Sequence, residues 1–245
     1  MSRRFLTALP VYNEVSHVGP VLEEVARYSD DILVVDDGST DGTSEWLAKR
    51  DDIHVLRHPQ NQGYGAALRT AFQFAIEQRY ACLVTIDCDG QHSPQRIPRF
   101  VEACRDVEMV SGSRYLKRYE GDSEPPAQRR WVNLQITREL NDRLGLQLTD
   151  AFCGFKAYCV EALRQLELSE DGYAMPLELW AQAAAAGWRI IELPTPLIYL
   201  DEKRSFGGEL DDSATRLDYY HQVIDRSIQA AQARRYPRRA ASACR

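Results

Sequence analysis

The chain has 245 residues, 44% apolar and 27% charged. This is the balance of an ordinary soluble globular protein, and it excludes a coiled coil, a collagen and a wholly disordered chain. Thirty basic residues face 36 acidic ones, the reverse of what a nucleic-acid partner requires.

Five arginines and no acid fall in residues 234–245 (Arg234, Arg235, Arg238, Arg239, Arg245), so an acidic body ends in a short basic tail. No apolar run is long enough to span a bilayer. The N-terminal MSRRFLTALPVYNE has too short an apolar stretch for a signal peptide. Six cysteines without a C-x-x-C pair read as reduced thiols of a cytoplasmic protein, not as a zinc or redox site.

In chain order, short apolar runs at Phe5–Leu9, Ile32–Val35, Ile53–Leu56, Leu83–Ile86 and Met109–Ser111 predict strands buried on both faces. Helical spacing links Val18, Val21, Leu22 and Val25, then Ala67, Leu68, Ala71, Phe72, Ala75 and Ile76. A third helix, with Ile97, Phe100, Val101 and Cys104, follows a cap-plus-proline start at Ser93-Pro94. The alternation predicts an α/β fold, a mostly parallel sheet with helices on both faces. Residues 116–130 are polar, with a Pro pair, and read as a mobile loop. Helices are expected at Arg130–Leu144, Val160–Leu166, Pro176–Ala186 and Ser213–Ala233, and strands at Arg189–Leu193 and Pro196–Leu200.

Three acidic motifs follow three of these strands: PVYNE (Pro10–Glu14), VDDGSTDGT (Val35–Thr43) and DCDGQH (Asp87–His92). In a parallel sheet they share the edge where ligands bind. Carboxylates at i and i+2, Asp87 and Asp89, with the amide of Gln91, offer hard oxygens suited to Mg²⁺ or Mn²⁺ and to a phosphate-bearing partner. The second motif offers carboxylates to sugar or base donors. It lacks G-x-G-x-x-G and the P-loop lysine, so neither dinucleotide nor P-loop binding is supported. His92 reads as a cap of the turn before Pro94, with metal ligation as the alternative.

These three motifs, together with NQGYGA (Asn61–Ala66), GSRY (Gly112–Tyr115), DAFCGFK (Asp150–Lys156) and Gly172–Pro194, resemble glycosyltransferase family 2. Within it they look most like the dolichol- or polyprenyl-phosphate mannose and glucose synthases. The likeness spans about residues 4–208. It implies a GT-A fold with a Rossmann-like nucleotide-binding half, and an inverting, metal-dependent hexose transfer from a GDP-mannose- or UDP-glucose-type donor. By the resemblance, Pro10, Tyr12 and Glu14 hold the nucleotide base, and Val35 and Asp37 contact base and ribose. Asp87, Asp89 and Gln91 hold the metal, Ile86 and Cys88 line the donor, and Arg114 contacts the diphosphate or the sugar.

The acceptor end departs from the family. Lipid-phosphate members carry R-x-x-G-x-S-K; here Arg204 and Gly207 fit, but Glu209 and Leu210 replace the Ser-Lys that would grip phosphate, with Lys203 as a substitute cation. The acceptor is therefore either a polyprenyl phosphate or a soluble hydroxyl compound. A hydroxyl acceptor needs a carboxylate base, for which Asp150 and Glu178 are the candidates.

Two other functions stay open: a nucleotide-sugar-binding protein without transfer activity, and, from VTIDCDG, a phosphatase of the haloacid dehalogenase type. The expected organisation is one domain, residues 1–233, with a nucleotide-sugar half (1–115), an acceptor-side half (116–210) and a C-terminal helix (211–233). The tail, 234–245, is a candidate tether to the inner membrane face, and self-association is a further expected partnership.

Overall fold

The computed structural model describes residues 4–199 and 208–236. Strands β1 (Phe5–Val11), β2 (Ile32–Asp36), β3 (His54–Arg57), β4 (Cys82–Thr85), β5 (Met109–Ser113), β6 (Lys156–Cys159) and β7 (Ile190–Pro194) form one sheet, ordered β3-β2-β1-β4-β6-β5-β7. The helices are α1 (Val18–Val25), α2 (Thr43–Leu47), α3 (Tyr64–Glu77), α4 (Ile97–Ala103), α5 (Ala127–Leu144), α6 (Val160–Leu163), α7 (Met175–Ala185) and α8 (Ser213–Ala233).

Every residue of β2, β4, β5 and β6 is buried. Such strands read as continuous apolar runs, because helices cover both faces of the sheet. The exception in direction is β6, which runs antiparallel to both of its neighbours, β4 and β5. In α3 the residues Ala67, Leu68, Ala71, Phe72 and Ala75 form the buried stripe. The last helix starts where Asp212 Oδ1 accepts from Thr215 N at 2.8 Å, a side-chain N-cap.

Two expectations on local structure need correction. Residues 196–199, the described part of the strand expected at Pro196–Leu200, form no strand. Helix α5 starts at Ala127, directly after the Pro pair rather than at Arg130, since Pro126 fixes an extended φ and ends the irregular loop. That loop has firm anchors: Ser123 N donates to Leu197 O at 2.8 Å, Leu197 N to Asp122 Oδ1 at 2.9 Å and Tyr199 N to Ser123 Oγ at 3.0 Å.

Cys82, Cys88, Cys104 and Cys153 are free and buried. Cys159 is buried as well, and Cys244 lies outside the described residues. Among the described residues no helix is long and apolar enough to cross a membrane.

The turn after β2 is built on Asp36, whose carboxylate accepts from Ser39 N and from Ser44 Oγ. This turn needs Gly38: its φ is +74°, and a Cβ there would lie 2.4 Å from the backbone carbon of Gln60. Gly38→Ala therefore meets both left-handed strain and a backbone clash. It should cost ~2–4 kcal/mol of stability, read as a lower denaturation midpoint.

Candidate active site

The carboxyl ends of β1, β2 and β4 open onto one cavity of about 430 Å³. Pro10, Tyr12, Glu14, Asp37, Asp87, Cys88, Asp89, Gln91 and Arg114 line it, so the structure gathers most of the expected residues. Val35 and Ile86 are buried in the sheet beneath it, 0% and 1% exposed, and do not reach its wall. Arg204 lies outside the described residues.

On the β1–β2 side the carboxylates are already engaged. Asp37 accepts from His58 Nδ1 at 2.7 Å, from Gln62 N at 2.9 Å and from Gly63 N at 2.8 Å. His58 is held in turn by Thr70 Oγ1, 2.9 Å from Nε2. Asp37 thus fixes the 58–63 loop while presenting an edge to the cavity. Glu14 accepts from His17 Nδ1 at 2.9 Å, and its own amide donates to Thr43 Oγ1 at 3.0 Å.

At the end of β4, Asp87 accepts from Tyr64 Oη at 3.0 Å and from His92 Nε2 at 3.1 Å. Burial opposes its charge, but the His92 and Tyr64 bonds outweigh burial and hold the carboxyl below the usual range. His92 therefore braces Asp87 and does not cap the turn before Pro94. Asp89 accepts from Gln91 N at 3.0 Å and from Gln91 Nε2 at 3.1 Å. Burial and the neighbouring charge of Asp87 push its pKa up. Gly154 packs on Asp87 so closely that a Cβ would sit 2.2 Å from Oδ2.

The two expected bases are placed elsewhere. Asp150 is 0% exposed and absent from the cavity wall. It takes Arg114 Nε at 2.7 Å and Nη2 at 2.9 Å, with Asn133 Nδ2 at 2.7 Å and Phe152 N at 3.2 Å. Burial resists the Asp150 charge, yet the Arg114 guanidinium holds its carboxyl far below the usual range, the opposite of what a proton acceptor needs. Glu178, on α7, accepts from Ser169 N and Glu170 N at 2.8 Å each and from Ser169 Oγ at 2.9 Å. It ties down the 169–170 loop and is also absent from the wall. Both expectations of a catalytic base fail for the same reason: strong donors already occupy the carboxylates.

Four wall residues escaped the sequence reading. Lys156 is 3% exposed, donates to Cys153 O and lies 5.4 Å over the Trp180 ring. Burial lowers its pKa. Arg129 and Arg216 join it on the acceptor side, and Tyr173 stacks on Tyr64 with ring centroids 5.7 Å apart. Only the G-F-K triplet at 154–156 flagged one of them. Trp131 is 47% exposed on α5 and does not line the cavity.

Asp150→Asn leaves the buried Arg114 charge without its counter-ion and should cost ~3 kcal/mol or more. The pH dependence has a definite sign. A folded carboxyl below its ordinary ~3.9 stabilises fully above that pH and loses its contribution as pH falls through the folded value. The stability gap between wild type and variant should therefore stay flat from pH 7 to 5 and narrow below pH ~4, as read from urea midpoints.

Residues 7–167 match the model of Glycosyl transferase family 2. Undecaprenyl-phosphate mannosyltransferase of Micrococcus luteus is 32% identical over 227 residues, covering 87% of this chain and 92% of its own. Polyprenol monophosphomannose synthase of Mycolicibacterium smegmatis is 30% identical over 208 residues, covering 79% and 77%. Among solved structures, glucosyl-3-phosphoglycerate synthase from Mycobacterium tuberculosis, in complex with Mn²⁺, UDP and glucosyl-3-phosphoglycerate, superposes with a TM-score of 0.67. It is 18% identical and the match covers 94% of this chain and 80% of that one. At that identity the likeness shows the fold, and the GT-A architecture expected from the motifs is borne out. The matched motifs, the shared fold and the edge-of-sheet cavity agree: the chain belongs to glycosyl transferase family 2.

Proposed function

We propose that this chain transfers a hexose from a nucleoside-diphosphate sugar to a polyprenyl phosphate, with inversion and with a divalent cation. The observation that carries this is the division of the cavity wall. Its acids, Glu14, Asp37, Asp87 and Asp89, all come from the β1, β2 and β4 ends, and its cations, Arg114, Arg129, Lys156 and Arg216, come from the end of β5, α5, β6 and α8. Among the described residues no carboxylate lines the cationic side, and Asp150 and Glu178 are engaged by other donors. A hydroxyl acceptor would find no base among them, whereas a phosphate acceptor is already an anion and needs none.

The cationic wall also suits such an acceptor electrostatically. Burial, together with the charge of Arg129, depresses the Arg216 pKa. Like charges in one cavity are relieved when an anion enters between them. Two relatives named for undecaprenyl phosphate and polyprenol support the same acceptor. Arg114, whose Nε and Nη2 are fixed by Asp150, presents a charge with little freedom to move.

The carboxylates fit a divalent ion. Burial, and then the nearby charge of Asp87, raise the Asp89 pKa, and a cation between hard oxygens would offset both. Asp87, Asp89 and Gln91 would hold it. When bound, it supplies charge neutralisation for the leaving diphosphate. The protein supplies the rest: Tyr64 and His92 orient Asp87, and the acid-rich wall receives the nucleoside. The cationic wall aims a phosphate oxygen of the acceptor at the anomeric carbon, so that the C–O bond to the acceptor forms as the bond to the diphosphate breaks.

The test uses GDP-[¹⁴C]mannose and UDP-[¹⁴C]glucose with undecaprenyl phosphate, and in parallel with 3-phosphoglycerate as a soluble acceptor. Label should enter the organic phase, EDTA should abolish it, and Asp89→Ala should lower the rate by at least ~10³. Label on 3-phosphoglycerate and none in lipid would sink the acceptor assignment. Full activity in EDTA would sink the metal assignment. The cationic wall is tested separately with Arg129→Ala and Arg216→Ala. Each should raise KM for the lipid phosphate by ~10-fold, the loss of about one charge-assisted contact, and leave KM for the donor near its starting value.

A further inference from the structure

The outer face of α5 is exposed where an ordinary surface helix would be polar. Trp131 and Leu134, three residues apart and so on one face, are 47% and 45% exposed. Ala127 and Arg138 continue the same stripe at helical spacing, and both are exposed. The segment Ala127–Arg138 holds three arginines, Arg129, Arg130 and Arg138, and no acid. In a chain with six more acidic than basic residues, that is a local reversal of charge.

The preceding segment extends the patch. The Arg130 guanidinium lies 4.7 Å over the Tyr115 ring. Leu116, which follows Tyr115 in the chain, is 45% exposed, and Lys117, also exposed, holds its Nζ 5.0 Å over the Tyr119 ring. Two of the three acids of that loop are engaged: Glu124 pairs with Arg118 at 2.9 Å, and Asp122 accepts from Tyr119 N at 2.7 Å and from Leu197 N at 2.9 Å, while Glu120 is exposed. The patch adjoins the cavity, because Tyr115 and Arg129 line its wall.

We propose that this face, Leu116, Trp131 and Leu134 among Lys117, Arg130 and Arg138, docks the protein on an anionic phospholipid bilayer with the cavity mouth at the lipid surface. Indole and leucine side chains enter the headgroup boundary, and the arginines meet lipid phosphates. The proposal rests on the polyprenyl-phosphate reading for its purpose. An acceptor whose phosphate lies at the bilayer surface is reached without leaving it. The contact itself follows from the surface alone. It differs from a tether through the C-terminal arginines, most of which lie outside the described residues.

The test is co-sedimentation of the full chain with vesicles of phosphatidylglycerol or of phosphatidylcholine, without donor or acceptor, at low and high salt. The wild type should pellet with phosphatidylglycerol, far less with phosphatidylcholine, and less at high salt. Trp131→Gln with Leu134→Gln, and separately Arg138→Gln, should each weaken that binding, the double variant by ~10-fold or more.

Both variants should keep wild-type transfer to a short-chain polyprenyl phosphate in detergent and lose rate only on vesicle-borne acceptor. Equal pelleting of wild type and double variant overturns the proposal. So does loss of binding only when Arg238, Arg239 and Arg245 are changed to Gln, which assigns the contact to the tail. A monomer-to-dimer difference between wild type and variant in light scattering also overturns it, making the face an interface between copies. Vesicle binding without any transfer to lipid phosphate would leave the docking face standing and remove the acceptor assignment.

Discussion

The buried ion pair of Arg114 with Asp150 is the constraint on which the acceptor side of this protein depends. An uncompensated guanidinium or carboxylate costs several kcal/mol at full burial, so each partner enforces the position of the other. The pair gathers the end of β5, the first turns of α5 through Asn133, and the 149–152 segment, whose amides are held by Glu192 of β7. Thr137 extends the network, donating to Asn133 Oδ1 at 2.9 Å and accepting from Ala151 N at 3.2 Å. A residue that resembled a catalytic base is instead the keel of the site. Its two oxygens are saturated, and the charge that faces the substrate is the arginine's.

From that frame follows a cavity with opposed electrostatic walls. The nucleotide half delivers carboxylates from strand ends that all run the same way, as expected for ligand sites in such sheets. The cations come from four separate places: the end of β5, α5, the start of β6 and α8. A donor that carries a diphosphate and an acceptor that carries a phosphate must approach one another at close range. Under the proposed function, acids that would hold a cation on one side and fixed cations on the other let them do so without mutual repulsion.

How much of this could be read from the residues depended on how local each signal was. Strands β1, β2 and β4 were plain as buried runs, and the motifs after them are short and contiguous, so the acidic corner of the cavity was legible down to single residues. The acceptor wall was not. Arg129 and Arg216 lie 87 positions apart in the chain and meet only through the packing of α8 on α5. Lys156 was visible only as the last residue of the motif Asp150–Lys156, with no role attached to it.

Glu178 misled because a buried glutamate between leucines invites a functional reading. Its partners are backbone amides at 169 and 170, which no side-chain pattern reveals. The strand expected at 196–200 failed for a related reason. Its apolar residues pack against the 122–123 loop through single hydrogen bonds rather than a ladder.

The reversed strand β6 places its first residue, not its last, at the edge where the parallel strands end, with Lys156 opposite Thr85 on one neighbour and Ser111 on the other. Lys156 and Tyr158 line the cavity, while Ala157 and Cys159 alternate with them. A slip of one residue in either ladder would exchange the two sets. It would carry an ammonium group to the face that Ala157 occupies, deep in apolar packing, at the cost of an unpaired buried charge. The lysine that gives the cavity its floor thus also proofreads the assembly of the sheet. A chain that pairs β6 wrongly is rejected by the same charge that a correctly paired chain offers to its substrates.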